Sequence, residues 1–210
     1  MITVEIQEIA LKLETDSRVF SPSHVDAGTL AMLARMEWEA DDKVLDLGCG
    51  CGVVGILAAK KLTEAQVLLC DICPAAVELS RVNAALNDLP NLRILQSDVY
   101  SNIDEHDFTA ILSNPPYHAD FSVAKRIIEG GFQRLVLGGR ILMVTKRRDW
   151  YEKKLTAVFG GVSVRETGGY YVFLAQKRTA TIPARKNKQQ ALSRKLQRKA
   201  AARRTAGFRI

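Results

Sequence analysis

Residues 43–55 read Lys-Val-Leu-Asp-Leu-Gly-Cys-Gly-Cys-Gly-Val-Val-Gly, and no other stretch limits the fold so tightly. A short apolar run containing Asp46 ends in glycines at 48, 50, 52 and 55, and an apolar helical pattern starts at Val53. Strand, glycine turn and helix in that order mark the point where an α/β sheet lets a nucleotide-like ligand approach bare backbone.

From there the rhythm of the chain is strand, helix, strand, helix. Strands are expected at Val44–Leu47, Gln66–Cys70, Leu92–Gln96, Phe108–Ser113 and Arg140–Thr145, the last preceded by a Gly138-Gly139 turn. Helices are expected at Val53–Leu62, Pro74–Leu86, Val123–Val136 and Trp150–Phe159. Val162–Glu166 and Tyr170–Ala175, joined across Thr167-Gly168-Gly169, read as a closing hairpin. Ahead of the glycine turn, residues 2–20 suggest a strand or hairpin. A helix follows over Leu30–Met36, with Ser23 or Asp26 as its cap. Alternating βα units dictate a mostly parallel sheet with helices on both faces, so the expected fold is α/β, Rossmann-like and doubly wound. Seven strands and an antiparallel closing hairpin complete it. Three segments are expected: an N-terminal extension (1–40), the core (41–176) and a basic tail (177–210). Asp46, Asp71, Asp98 and Asn114 all fall at strand carboxyl ends, where such sheets bind ligands.

The 210-residue chain carries a formal charge of +7, unevenly spread. Beyond Ala175 stand 12 basic residues and no acid, leaving 18 bases against 23 acids elsewhere, a net of −5. A one-signed block of this kind solvates itself and serves as an interaction arm. No run reaches the roughly 20 apolar residues of a membrane helix, and the N-terminus is acidic and amphipathic, so a cytoplasmic protein is expected. Cys49, Cys51, Cys70 and Cys73 include a Cys-x-x-Cys spacing that zinc uses. Both pairs sit where a ligand should bind, however, and reduced thiols without a metal are the expectation.

Gly50-x-Gly52-x-x-Gly55, with Asp71 at the interval of a ribose-binding acid, also fits a dinucleotide site. Asp46 argues against it, because a carboxylate at the loop repels a pyrophosphate and attracts a cationic amino-acid end. Asn114-Pro115-Pro116-Tyr117 has no role in hydride transfer. With these residues the chain resembles the class I S-adenosylmethionine-dependent methyltransferases over residues 19–176. The resemblance implies S-adenosyl-L-methionine as cofactor. Asp46, Gly48, Cys49, Gly50 and Gly52 would surround its methionine part and Asp71, with Ile72 beside it, its ribose. Asp98 and Val99 would flank the adenine, and Asn114 would lie near the reacting methyl.

Asn114, Pro115, Pro116 and Tyr117 resemble the motif of enzymes that methylate planar amines, and these four are the expected catalytic residues. The lone pair of such a nitrogen is delocalised, which makes it a poor nucleophile. The Asn114 and Pro115 carbonyls can accept its two hydrogens, orient the lone pair and stabilise the developing charge. Consecutive prolines fix that backbone, and Tyr117 offers a face for a base taken out of its stack. Val19-Phe20-Ser21 with Asp26, Gly28 and Thr29 further resembles the segment ahead of the core in the small-methyltransferase-domain (MTS) family, which includes bacterial ribosomal RNA guanine-N2 methyltransferases.

The expected function is therefore methyl transfer to an exocyclic base amine of RNA, guanine N2 of ribosomal RNA first among the candidates. The expected partner is ribosomal RNA or a ribosomal subunit, with no membrane. Phe20, Thr29, Tyr117 and His118 are the candidate base contacts, and Arg185, Lys186, Lys188, Arg194, Lys195 and Arg198 the candidate phosphate contacts. Adenine-N6 methylation of RNA and glutamine methylation of a protein are the rival reactions. An RNA-binding assembly factor is the non-enzymatic rival.

Overall fold

A computed structural model describes residues 1–16, 19, 24–116 and 121–182. The N-terminal hairpin comprises β1 (Ile2–Ile6) and β2 (Ile9–Leu13), which pair antiparallel as a separate two-stranded sheet. Next come α1 (Ala27–Leu33), β3 (Val44–Leu47), α2 (Val53–Lys61), β4 (Val67–Asp71) and α3 (Pro74–Leu86). The chain continues with β5 (Arg93–Gln96), β6 (Phe108–Ser113), α4 (Phe121–Arg134), β7 (Leu135–Thr145) and α5 (Arg148–Phe159). It closes with β8 (Ser163–Thr167) and β9 (Tyr170–Gln176).

The main sheet has seven strands in the order β5-β4-β3-β6-β7-β9-β8. The pairs from β5 to β7 are parallel, and β7/β9 and β9/β8 are antiparallel. The chain winds outward from β3 through β4 to β5, then returns to lay β6 on β3's other side. That reversal opens a crevice between the carboxyl ends of β3 and β6, where doubly wound sheets bind ligands.

Both faces of the sheet are covered, so its central strands are buried on both sides rather than on alternate residues; all four residues of β3 are buried. Side chains still point alternately to the two faces. Val44, Leu69, Ala110 and Leu142 join a core with α1, α2, α3 and the N-terminal hairpin. Leu45, Leu68, Ile111 and Ile141 join a second core with α4 and α5. Gly55 lets α2 lie close against β4: a Cβ there would come within 2.3 Å of the Leu69 side chain.

The hairpin is fastened by two asparagines four residues apart, Asn83 on α3 and Asn87 at its C-cap. Asn83 Oδ1 accepts from Glu14 N (2.7 Å), and its Nδ2 donates to Glu14 O (3.1 Å) and Cys51 O (2.9 Å). Asn87 repeats the pattern on Lys12, accepting from its N–H at 3.0 Å and donating to its carbonyl at 2.7 Å. Side-chain amides thus satisfy the backbone beyond β1's partner strand as a further strand would.

Most element ends differ from expectation by one to three residues, and the larger differences have a physical reason. Helix α1 begins at Ala27 rather than Leu30, because Asp26 caps it by accepting from Thr29 N at 3.0 Å. Helix α4 ends at Arg134, and the Gly138-Gly139 turn lies inside β7 as an irregularity. Both glycines stay paired through Lys177, whose carbonyl receives Gly138 N–H and whose N–H reaches Gly139 O, each at 2.8 Å. Residues 64–66 form a short 3-10 turn ahead of β4. Among the described residues no helix is long and apolar enough to cross a membrane.

Candidate active site

At the crevice lies a cavity of about 370 Å³ bordered by the glycine loop, the ends of β4, β5 and β6, and the segment leading into α1. Gly48, Gly50 and Gly52 have φ of +80, +57 and +87°, a region that only glycine enters without strain. The loop is tied to β4 because Gly48 and Cys49 both donate to Cys70 O, at 2.9 and 3.0 Å. A Cβ on Gly48 would meet nothing within 4 Å, and one on Gly50 only Val19 Cγ1 at 3.9 Å. Side chains at these positions would therefore fill space that the bare backbone leaves for a ligand. Gly52 does not border the cavity; it starts α2 in a left-handed conformation and packs under Ser80.

Of the remaining expected cofactor residues, Asp46, Gly48, Cys49, Gly50, Asp71, Ile72, Asp98, Val99 and Asn114 all border the cavity. Asp46 lies deeper than a residue at the loop's mouth. It is 3% exposed, and its Oδ2 accepts Gly55 N–H at 2.9 Å. Burial, opposed by that hydrogen bond and reinforced by the nearby Asp71 carboxylate, pushes its pKa up to about 7. The Asp71 carboxylate receives Gly50 N–H (3.0 Å) and Cys73 N–H (2.9 Å), which fixes its direction at the end of β4. Asp98 pairs with Arg126 at 2.6 Å. Val99 has φ +56°, a strained state for a β-branched residue, and its carbonyl receives Ser97 Oγ at 2.9 Å.

The four cysteines are free, and no metal-binding cluster exists among the described residues. Burial pushes the Cys70 thiol up to about 12 and raises Cys49 and Cys51 as well, so these thiols pack as protonated side chains.

Asn114 follows the last residue of β6 at the cavity's far wall. Its Nδ2 donates to Asp26 Oδ2 and to Thr29 Oγ1, both at 2.9 Å. A carboxylate only accepts, so it dictates which end of the amide faces it. The opposite end, Oδ1, is buried and has no hydrogen-bond partner among the described residues. Asp26 is itself held by the Tyr170 hydroxyl at 3.3 Å, and the lack of a Cβ on Gly28 permits this approach: one would stand 2.6 Å from the Tyr170 ring. Thr29, expected at the base, instead meets Asn114 directly. Pro115 and Pro116 border the cavity. Phe20, Tyr117, His118 and the tail positions Arg185, Lys186, Lys188, Arg194, Lys195 and Arg198 lie outside the described residues.

The cavity's lining contains Asp26, Asp46, Asp71 and Asp98 and no lysine or arginine among the described residues. A pyrophosphate would meet four acidic side chains and no lysine or arginine in the lining, whereas a cofactor with a sulfonium and an ammonium group suits this charge. An acid-lined crevice beneath a glycine turn, in a sheet closed by an antiparallel strand, defines a class I S-adenosylmethionine-dependent methyltransferase. Comparison with known proteins makes the assignment specific. The chain belongs to the methyltransferase small domain (MTS) family, whose model matches residues 10–174.

Among its relatives, the uncharacterized Bacillus subtilis protein YbxB is 35% identical over 169 residues, covering 78% of this chain and 84% of that protein. Ribosomal RNA small subunit methyltransferase C of Hamiltonella defensa is 35% identical over 158 residues, covering 73% of this chain and 46% of that protein. Among solved structures, the T. thermophilus 16S rRNA N2 methyltransferase RsmC, in complex with AdoMet and guanosine, superposes with a TM-score of 0.76 at 27% identity. That match covers 84% of this chain and 50% of the other. The chain thus spans about half the length of the ribosomal RNA methyltransferases it matches.

The hold on Asn114 is the feature that the sequence conceals. Asp26 stands out there as a cap and as part of a family-like segment, and Tyr170 only as a strand residue. The one signal is the Asp26-x-Gly28-Thr29 pattern, which does not reveal what those side chains face 88 residues later.

Proposed function

We propose that this protein methylates an exocyclic base amine of RNA, with guanine N2 of ribosomal RNA as its target. The observation that carries the reading is the unpartnered Asn114 Oδ1, held by Asp26 and Thr29 so that a carbonyl rather than an amide N–H remains for a substrate. A buried acceptor of this kind costs free energy until a donor arrives, and a planar amine supplies one. The named relatives support ribosomal RNA as the target, and a similar structure that holds guanosine supports guanine over adenine.

When bound, S-adenosylmethionine supplies an electrophilic methyl group. The chain's own residues do the rest. The glycine loop would receive the cofactor's amino-acid end, Asp46 and Asp71 would balance its charge, and the Val99 turn would border its flat base. Asn114 Oδ1 accepts one amine hydrogen, draws the nitrogen out of conjugation and stabilises the positive charge that grows on it. Pro115 O accepts the other, and Tyr117 stacks on the extracted base. No strong general base is needed, because the nitrogen's proton turns acidic once it is alkylated. The basic residues beyond Lys177 supply further phosphate contacts.

The test is incubation with labelled cofactor and total RNA from cells lacking the protein, followed by digestion and nucleoside mapping. N2-methylguanosine is the expected product. N6-methyladenosine, or label in protein glutamine, would overturn the guanine reading. Deleting the residues after Lys177 should weaken RNA binding and its salt dependence and leave cofactor affinity unchanged.

A further inference from the structure

The chain ahead of its basic tail presents an electrostatic problem for an RNA enzyme, since the cavity is acid-lined and residues 1–175 carry a net charge of −5. One cluster runs against that charge, and it sits beside Asn114. Strand β7 ends at Thr145, next to the end of β6, and Lys146, Arg147 and Arg148 follow at once, all exposed. Residues 146–154 hold five bases against two acids.

Each of the three leading cations lies over a different aromatic ring. Lys146 Nζ is 4.8 Å from the centre of Tyr170, Arg147 is 5.1 Å from Phe121, and Arg148 is 5.7 Å from Tyr171. Phe121 in turn stacks on Trp150 at 4.4 Å and 17°. These four rings are half-buried, so each keeps surface toward solvent. Arg148 also pairs with Glu152 at 3.0 Å, whereas Arg147 makes no ion pair among the described residues.

The cluster connects to the site on two sides. Tyr170, under Lys146, holds the Asp26 that fixes Asn114. Phe121, under Arg147, opens the helix that follows the Asn-Pro-Pro turn.

A guanidinium or ammonium resting on a ring is restrained without losing its charge, and an arginine there keeps its planar edge of donors for an anion. Bare phosphate would need only the cations. Cations interleaved with partly open rings suit a ligand that offers phosphates and flat bases together, and unpaired RNA does so. A base drawn into the cavity must leave neighbouring nucleotides outside it, where a gripping surface on the folded body can reach them.

We propose that Lys146, Arg147 and Arg148, with Phe121, Trp150, Tyr170 and Tyr171, form the surface that grips the single-stranded RNA flanking the nucleotide to be modified. The assignment rests on the RNA reading above and gives it a location on the folded body, separate from the basic tail.

The experiment compares full-length protein with Arg147→Ala/Arg148→Ala and with Lys60→Ala/Lys61→Ala. The second pair removes the same charge from the far end of α2. Affinity for a short labelled guanosine-containing single-stranded RNA is measured by anisotropy across a salt series, and S-adenosylmethionine affinity by calorimetry. The arginine variant should lose on the order of tenfold in RNA affinity at low salt, with a salt slope reduced by about 1.4, or about 0.7 for each phosphate contact. Its cofactor affinity should stay at the wild-type value, which also shows that the fold is intact. The lysine variant should change RNA affinity less than about twofold.

Equal losses in both variants, an unchanged slope, or an equal loss of binding to poly-glutamate would overturn the assignment. The first two outcomes indicate diffuse attraction, and the third an acidic protein ligand. Binding needs no turnover, so the two readings fail separately. A normal patch effect without N2-methylguanosine from the wild type retires only the guanine target.

Discussion

Asp46 couples cofactor binding to pH. Its carboxyl is buried beneath the glycine loop with one hydrogen bond and an acid for a neighbour, and its pKa stands at about 7. An unfolded aspartate titrates near 3.9, so without cofactor the neutral form favours the fold. That contribution is fully present below about pH 4 and is lost as pH rises through about 7. Raising a carboxyl from that unfolded value to about 7 corresponds to roughly 4 kcal/mol. A cation bound beside Asp46 favours the ionised form, so binding must expel the proton. If the pKa in the complex lies well below 6, about 0.9 proton leaves at pH 6 and about 0.25 at pH 7.5, and affinity rises about eightfold between those values. Titration calorimetry in two buffers of different ionisation enthalpy reads the proton count directly. Asp46→Asn keeps an acceptor for Gly55 N–H and removes the titration. It should bind S-adenosylmethionine more weakly at pH 7.5, with no pH trend and no proton release, and should unfold at higher temperature than wild type at pH 8. Wild-type binding that is flat from pH 6 to 7.5 and releases no proton would refute the argument.

Three further predictions concern the hold on Asn114 and the fastening of the hairpin. Asn114→Ala should lower turnover by about 10²–10³-fold, the usual loss for one donor or acceptor aimed at developing charge, with cofactor affinity largely kept in calorimetry. Asp26→Ala removes a helix cap and the charged partner of the Asn114 amide, and should lower kcat about 10- to 100-fold in single-turnover assays. Asp26→Asn can keep its oxygen toward Thr29 and Asn114 while its amide faces the Tyr170 hydroxyl, and should stay within about threefold of wild type. Asn83→Ala leaves three backbone groups of residues 14 and 51 without partners, and should cost about 2–3 kcal/mol in urea unfolding.

What the sequence revealed and what it hid follow from the range of the forces involved. The glycine turn, the strands after it and the polar residues at their ends are local patterns, and the seven-stranded sheet with its antiparallel close follows from them. Asn83, inside the expected helix, and Asn87, just past its end, are 0% and 4% exposed, because the partners that justify burying them lie in and just after a hairpin some 70 residues earlier. Asp26 and Tyr170 stand 144 residues apart and meet only once β9 has paired with β7. The basic cluster after β7 was hidden for a different reason. Charge counted along the chain draws the eye to the tail, whereas Lys146–Arg148 are distinguished by rings that the closing strand and α4 bring beneath them.

Asn114 itself shows why a motif does not by itself determine a mechanism. Asn-Pro-Pro supplies a rigid turn and an amide, but an amide has two ends of nearly equal shape and opposite chemistry. A threonine beside it would not choose between them, since its hydroxyl donates as readily as it accepts. The choice is made by Asp26, an acceptor only, placed by the cap of a seven-residue helix and braced by the hydroxyl of Tyr170. The oxygen is thereby left for the substrate. The closing hairpin that carries Tyr170 also brings its ring beneath Lys146. One aromatic residue thus stands between the charge proposed to hold the RNA and the carboxylate that orients the acceptor, and the two sides of that ring can be separated experimentally. Tyr170→Phe keeps the surface under Lys146 and removes the hydroxyl from Asp26. It should spare RNA affinity and lower turnover, whereas a loss of RNA affinity with turnover unchanged would reverse these roles.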